Sequence, residues 1–366
     1  MNKQIKVEFD ASTWTSGPPS SITKLPKTWN FDLGLALAHL ALRTRPPGIH
    51  GFDLSDTWAI LRYGYAFIPG LDFRLRSEWI DTDPHQKTIL SDDLGVGLTT
   101  YFLADKLNAI DFYDCRYFMK YFPGTLGVVG KGKKNGEFKT PDFIFTDGRG
   151  QLSMVECKGT QSSVYQLDQA MKRGLTQKNN VTSGARKLKH SLVMGVFLPQ
   201  FNSKENSMLR IIDPSWDEFS NFLLNIETRD LRRGMAKYDL ARDMSLLSLP
   251  VAARRFSSVT PVEDVEDSTR FSQEINRSLN TDDTIGRQLT LEIQGDEGLL
   301  RNISVKVRDG GGIRERLLSM RGSDIDEIVD FQINQRRNRS WKTEVQDGKS
   351  KLTSPTGLSV EVTFDE

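Results

Sequence analysis

The sequence predicts an α/β protein: a central mixed sheet flanked by helices, with an N-terminal extension and a small β-rich C-terminal domain. Three observations carry that reading. PDFIFTD and LSMVECK are short strand-like runs on either side of Gly148-Arg149-Gly150, a tight-turn tripeptide. A polar helix-like stretch, Thr160 to Lys178, and an apolar strand, Leu192 to Leu198, follow, so strand, turn, strand, helix and strand alternate. From Leu289 onward the chain reads as short strands with glycine turns: LTLEI, ISVKVRDGGG, KSKLT and LSVEVTF.

The remaining elements are read in order. IKVEF is a strand and TSGPPSSITKLP a turn-rich stretch. Leu33, Leu37, Leu40 and Ala41 recur at helical spacing within 31–42, and Pro46-Pro47-Gly48 ends that run. A second apolar piece, Trp58 to Ile68, stops at Pro69-Gly70. Asp92 to Leu107 is expected to be a helix, with Ser91-Asp92-Asp93 at its start and Leu94, Leu98, Tyr101, Phe102 and Leu107 along one face. Phe112 to Phe122 is aromatic-rich, helix-like or mixed, and its rings are expected in the core. Leu209 to Ile212 is a strand, and Trp216 to Leu224 and Arg229 to Leu249 are helices. The expected division is an N-terminal region 1–88, a core domain 89–255, an acidic linker 256–285 and a β-rich domain 286–366.

The chain has 366 residues and a net charge of +1, from 49 Lys and Arg against 48 Asp and Glu. That balance excludes a uniformly basic coat for nucleic acid. Two cysteines, Cys115 and Cys157, exclude a disulfide framework and a zinc ribbon. His39, His50, His85 and His190 show no metal-binding spacing, and His190 reads as a surface histidine. MNKQIKVEFDAS has no apolar core, and no apolar run approaches the roughly 18 residues of a membrane span, so the expected setting is cytoplasmic.

The chemistry concentrates in Pro141-Asp142 and Glu156-Cys157-Lys158. Side chains alternate along a strand, so Glu156 and Lys158 share a face and Cys157 points into the opposite layer. The turn folds the two strands together, which brings Asp142 to Glu156. Two carboxylates and a lysine suit a hard divalent cation, Mg²⁺ or Mn²⁺, with the Cys157 carbonyl as an extra ligand. Such a cation lowers the pKa of bound water and offsets charge on a phosphoryl transition state. Lys158 would orient or deprotonate the water, or stabilise the developing charge. Taken singly, each of these acids is more often a solvated or turn-capping group.

P-D, thirteen intervening residues and E-C-K resemble the signature of the PD-(D/E)xK nucleases, the restriction-endonuclease-like fold, over Asp92 to Pro214 at most. The resemblance implies that Asp142 and Glu156 bind metal and that Lys158 serves catalysis. It also implies an acid on the preceding helix, where Asp92 or Asp93 stands in place of the usual Glu; Asp93 is taken as the additional ligand. A glutamine on the helix after the lysine strand is also implied, with Gln166, Gln169 and Gln177 as candidates.

The surroundings fit a polyanion. From Arg116 to His190 fourteen bases face five acids, a net of +9. Lys131, Lys133, Lys134, Thr160, Lys172, Arg173, Gln177 and Lys178 are the expected nucleic-acid contacts, each with an ordinary surface role as its alternative. GVVGKGKK lacks the G-x-x-x-x-G-K-[ST] pattern, which excludes a nucleotide-hydrolysing phosphate loop. Residues 261–297 carry ten acids against three bases, a net of −7, and 261–285 is expected to compete with nucleic acid for the basic surface.

The expected activity is therefore Mg²⁺-dependent endonucleolytic cleavage of DNA. The resemblance implies restriction, anti-phage defence or repair as settings, with a defence effector preferred. RNA cleavage is one alternative; a non-catalytic nucleic-acid-binding or assembly subunit is another. Expected partners are DNA and, through the flanking regions, a regulatory or ATPase protein or a second copy of the chain, but no membrane.

Overall fold

The computed structural model describes residues 1–14, 16–44, 54–116, 141–178, 188–213, 228–247, 249–257, 286–294, 300–309 and 340–364, with 270, 273, 327, 329–330 and 333–334. It is an α/β protein whose chain divides into two compact units, Met1–Thr44 with Arg62–Glu227, and Arg45–Leu61 with Thr228–Glu366.

The first unit is built on a seven-stranded mixed sheet. Its strands are β1 (Asn2–Phe9), β2 (Thr28–Asp32), β3 (Ala109–Asp114), β4 (Phe143–Asp147), β5 (Leu152–Thr160), β6 (Ser191–Phe197) and β7 (Met208–Ile212). Their order is β2-β1-β7-β6-β5-β4-β3. The β1–β7 and β5–β6 pairs are parallel and the other four are antiparallel. The 1–88 division does not coincide with this unit. β1 and β2 complete the same sheet as β5, because β1 pairs with β7 across some two hundred residues of sequence.

Helices α1 (Ser20–Thr23), α2 (Leu33–Thr44), α4 (Pro84–Leu107) and α5 (Val164–Lys178) accompany these strands, while most of α3 (Leu54–Tyr63) groups with the second unit. α4 begins at Pro84 rather than at Asp92. Asp83 accepts from the His85 N–H at 2.8 Å, and Pro84 occupies the first turn, where a missing N–H costs nothing. Asp92 and Asp93 therefore sit inside the helix. The run from Phe112, expected to be helix-like or mixed, opens as the edge strand β3 and turns helical at 115–116, and 117–122 lie outside the described residues.

α4 and α5 cover opposite faces of β5 and β6. Gly195 of β6 lets α5 settle: a Cβ there would meet Leu167 and Met171 at 2.7–2.9 Å. Those two side chains pack with Val193, Phe197, Met208 and Ile212 in one buried cluster. Each such apolar side chain contributes roughly 1.5–3 kcal/mol.

In the second unit, α6 (Thr228–Leu246) and α7 (Pro250–Ser257) accompany an antiparallel sheet. Its strands are β8 (Gly286–Gln294), β9 (Leu300–Asp309), β10 (Lys342–Gln346), β11 (Lys349–Thr353) and β12 (Leu358–Phe364), in the order β10-β11-β12-β9-β8. Within α6, Arg242 is paired with Asp239 at 3.1 Å and Asp243 at 3.0 Å, and the Thr356 hydroxyl donates to Asp243. The expected 255/256 boundary differs here too, since α6 and α7 group with the β-rich unit. Residues 216–224 lie outside the described residues, as does nearly all of 261–285. Among the described residues no helix is long and apolar enough to cross a membrane.

Candidate active site

The β4–β5 hairpin turns through Gly150, whose φ of 72° suits glycine. Asp147 Oδ1 accepts from the N–H groups of Arg149 and Gln151, each at 2.9 Å, and Lys189 Nζ reaches Asp147 Oδ2 at 2.6 Å. That turn sets the register Phe143 opposite Val155. Continuing the register by one residue sets Asp142 opposite Glu156, on one face of the sheet.

Asp142 is anchored by its own backbone and side chain. Its carbonyl accepts from Cys115 N–H at 2.9 Å, and its Oδ2 accepts from Cys157 N–H at 2.7 Å. The backbone contact shown for Cys157 is thus a donated hydrogen bond to the first carboxylate. Its thiol is buried, and burial pushes it well above the usual range. Glu156 is fully buried, and Lys158 Nζ donates to its Oε1.

Both carboxyls are held above the ordinary carboxylate range. For Asp142 the cause is loss of hydration, opposed by Lys158 and the Cys157 N–H. For Glu156 it is loss of hydration and then the negative field of Asp142. Burial alone would lower Lys158, but Glu156 and Asp142 outweigh it and the net shift is upward. Lys158 is therefore a firm cation. Asp114, at the end of β3, and Asp92 add negative field at Asp142.

The α4 acid that faces this group is Asp92, which lines the same cleft as Lys158 and feels its charge. Asp93, the expected ligand, is turned away and accepts from the Tyr63 hydroxyl at 2.8 Å. Consecutive helix residues point about 100° apart, so one acid faces the cleft and the other does not. Two glycines make this approach possible. A Cβ on Gly95 would come within 2.9 Å of the Lys158 carbonyl, and one on Gly159 would run into the Ser91 carbonyl.

The cleft has a volume of about 900 Å³. Thr160, Gln166 and Arg173 line it, and Lys172 is exposed on α5. Gln166 is thus the helix glutamine on the cleft wall. Ser163 caps α5 by accepting from the Gln166 N–H at 3.2 Å. Gln177 and Lys178 fall in the last turn of α5. Lys131, Lys133 and Lys134 lie outside the described residues. His190 is not a surface group: it is 3% exposed, with Nε2 at 3.4 Å from Ser21 Oγ, and burial lowers its pKa to about 4.

Sequence reasoning missed the Gly95 and Gly159 approaches and the paired glutamines of the cleft wall. Gln161 donates to the Lys87 carbonyl at 2.8 Å and accepts from Gln200 at 2.5 Å. G-T-Q-S-S directly after the motif lysine was the signal for the first of these glutamines; Gln200, remote in sequence, carried none.

The residues fit a hard divalent cation. Glu156 Oε2 is buried with no hydrogen-bond partner among the described residues, beside a second carboxylate that already repels it. Among the described residues no group of three or more His, Cys, Asp and Glu could hold a metal. Asp142 and Glu156 could hold such a cation only with water and substrate oxygens completing its shell, which Mg²⁺ accepts more readily than zinc or calcium.

Comparisons with protein-family models, with curated proteins and with solved structures gave no match to this chain.

Proposed function

We propose that the chain is a Mg²⁺- or Mn²⁺-dependent endonuclease of the PD-(D/E)xK type that hydrolyses phosphodiester bonds of DNA. One observation carries the proposal. Asp142 and Glu156 stand opposite each other on adjacent strands, Lys158 is bound to Glu156, and the lysine opens into a roughly 900 Å³ cleft.

When bound, the cation supplies charge neutralisation and a water acidic enough to act as nucleophile. The chain's own residues do the rest. Asp142 and Glu156 hold the cation only as carboxylates, so metal and protons compete for them. The Cys157 N–H keeps Asp142 oriented. Lys158 remains protonated, which makes it a weak base; it orients the water and offsets charge on the phosphate oxygens. Thr160 and Arg173 line the cleft and would meet neighbouring phosphates.

An effector role in bacterial anti-phage defence, held in check by a regulatory or ATPase partner, is part of the same proposal and rests on analogy of site. The test is incubation of supercoiled plasmid, linear DNA and RNA with Mg²⁺ or EDTA, using the wild type, Asp142→Ala and Lys158→Ala. Metal-dependent cutting of DNA that both substitutions abolish is expected. Cutting that survives either substitution overturns the site. Tight DNA binding with no cutting in any condition favours the non-catalytic subunit.

A further inference from the structure

The end of the sheet near Lys158, where β5 and β6 finish and β7 starts, continues past the cleft. Lys6 pairs with Met208, Met208 with Phe197, and Phe197 with Thr160. Directly paired residues share a face, so Lys6 and Thr160 lie in one row spanning four strands, ~14 Å apart at the usual strand spacing. A second cavity, of about 350 Å³, lies at the Lys6 end, with Lys27, Arg74 and Asp72 in its wall, and Lys6 is paired with Glu8 at 2.6 Å.

One loop joins the two cavities. Gln200 lines the cleft, and Asn206 and Ser207 line the smaller cavity. Arg74 fastens the loop by donating to the carbonyls of Gln200 at 3.1 Å, Ser203 at 2.5 Å and Glu205 at 3.0 Å. Neutral carbonyls leave the guanidinium charge in place.

Two exposed aromatic residues adjoin cleft-lining residues in sequence. Phe201, on the joining loop, is 51% exposed, and Tyr165, next to Gln166 on α5, is 66% exposed. A lone exposed aromatic needs no explanation. Each of these two is next in sequence to a glutamine that lines the cleft. Gln200 Oε1 is also buried there with no partner among the described residues.

We propose that this end of the sheet is a track for one unpaired nucleic-acid strand, with phosphates at Lys158 and at Lys6 and Lys27 and bases against Phe201 and Tyr165. It rests on the nuclease reading and deepens it by naming the substrate form. A duplex keeps its base faces stacked inside, so exposed rings find a partner only on an unpaired strand.

Fluorescence anisotropy of the full chain in EDTA tests the track, with labelled single-stranded DNA, single-stranded RNA and duplex DNA as probes. Tighter binding of either single strand than of duplex is expected, and the two single-strand arms tell which sugar is preferred. Phe201→Ala should weaken single-strand binding by roughly 5- to 100-fold and leave duplex binding nearly unchanged, while Phe201→Trp retains it. Lys27→Ala should reduce the salt dependence by about one phosphate contact. Duplex binding as tight as single-strand binding, or Phe201→Ala without a selective loss, overturns the track and leaves the plasmid-cutting test untouched. No binding to any probe together with no cutting of any substrate overturns both.

Discussion

Gly159 lies directly beneath the backbone carbonyl of Ser91, so close that a Cβ at position 159 has no room. The contact joins the last turn of chemistry on β5 to the stretch of α4 that carries Asp92. Gly159→Ala should force α4 outward, because the obstacle is backbone and cannot rotate aside. The expected cost is about 1–3 kcal/mol in stability, with a drop in cleavage because Asp92 moves away from Lys158. Thermal melting and a cleavage assay check both parts; an unchanged melting temperature with full activity would show that the helix and strand are not held at this distance.

Asp92 and Asp93 should separate in function. Asp93→Ala removes the acceptor of the Tyr63 hydroxyl and should lower stability by about 0.5–1.5 kcal/mol, with activity per folded molecule retained. Asp92→Ala should leave the melting temperature nearly unchanged and weaken Mg²⁺-dependent cleavage. The reverse pattern would return the metal-side role to Asp93.

The hairpin was legible in sequence because its periodicity is local. Alternation sets Glu156 and Lys158 on one face, and Gly148-Arg149-Gly150 sets the register that brings Asp142 across. The place of β1 was not legible, since its pairing with β7 depends on a contact between distant segments. The start of α4 was hidden because PHQKTILS is too polar to show a helical face, although Asp83-Pro84 is a cap and first-turn pair in hindsight of the geometry. Without that start, Asp92 and Asp93 read as interchangeable cap acids. The Gly95 and Gly159 approaches have no sequence signature at all, because a glycine forced by a facing backbone looks like any other.

Asp142→Asn should separate stability from activity. The neutral side chain can still accept the Cys157 N–H, and it removes the charge that pushes Glu156 upward. Without Mg²⁺ the variant should be more stable than the wild type by about 1 kcal/mol at neutral pH, the scale of one pKa unit. Adding Mg²⁺ should raise the melting temperature of the wild type and not of the variant, because only the native pair binds the cation. A variant less stable than the wild type without metal would mean that Asp142 is not strained by its neighbours.

The acid limb of the stability curve should carry two opposing slopes. His190 is neutral in the folded state, with its pKa lowered to about 4 from the ordinary 6.5 by burial and by Lys189. Between those values the unfolded chain binds more protons, so His190 makes stability fall as pH drops, by at most ~3 kcal/mol. Asp142 and Glu156 act the other way. Their folded pKa values are raised, so the folded chain binds more protons than the unfolded one, and acidification from neutral pH relieves their repulsion. His190→Gln keeps a polar group near Ser21 and removes only the first slope, so its stability should hold or rise on acidification from pH 6.5. Asp142→Asn removes part of the second slope, so on acidification its stability should fall relative to the wild type's. Denaturant unfolding of the three proteins without metal, across that window, checks the signs; parallel curves would remove both groups as sources of the pH dependence.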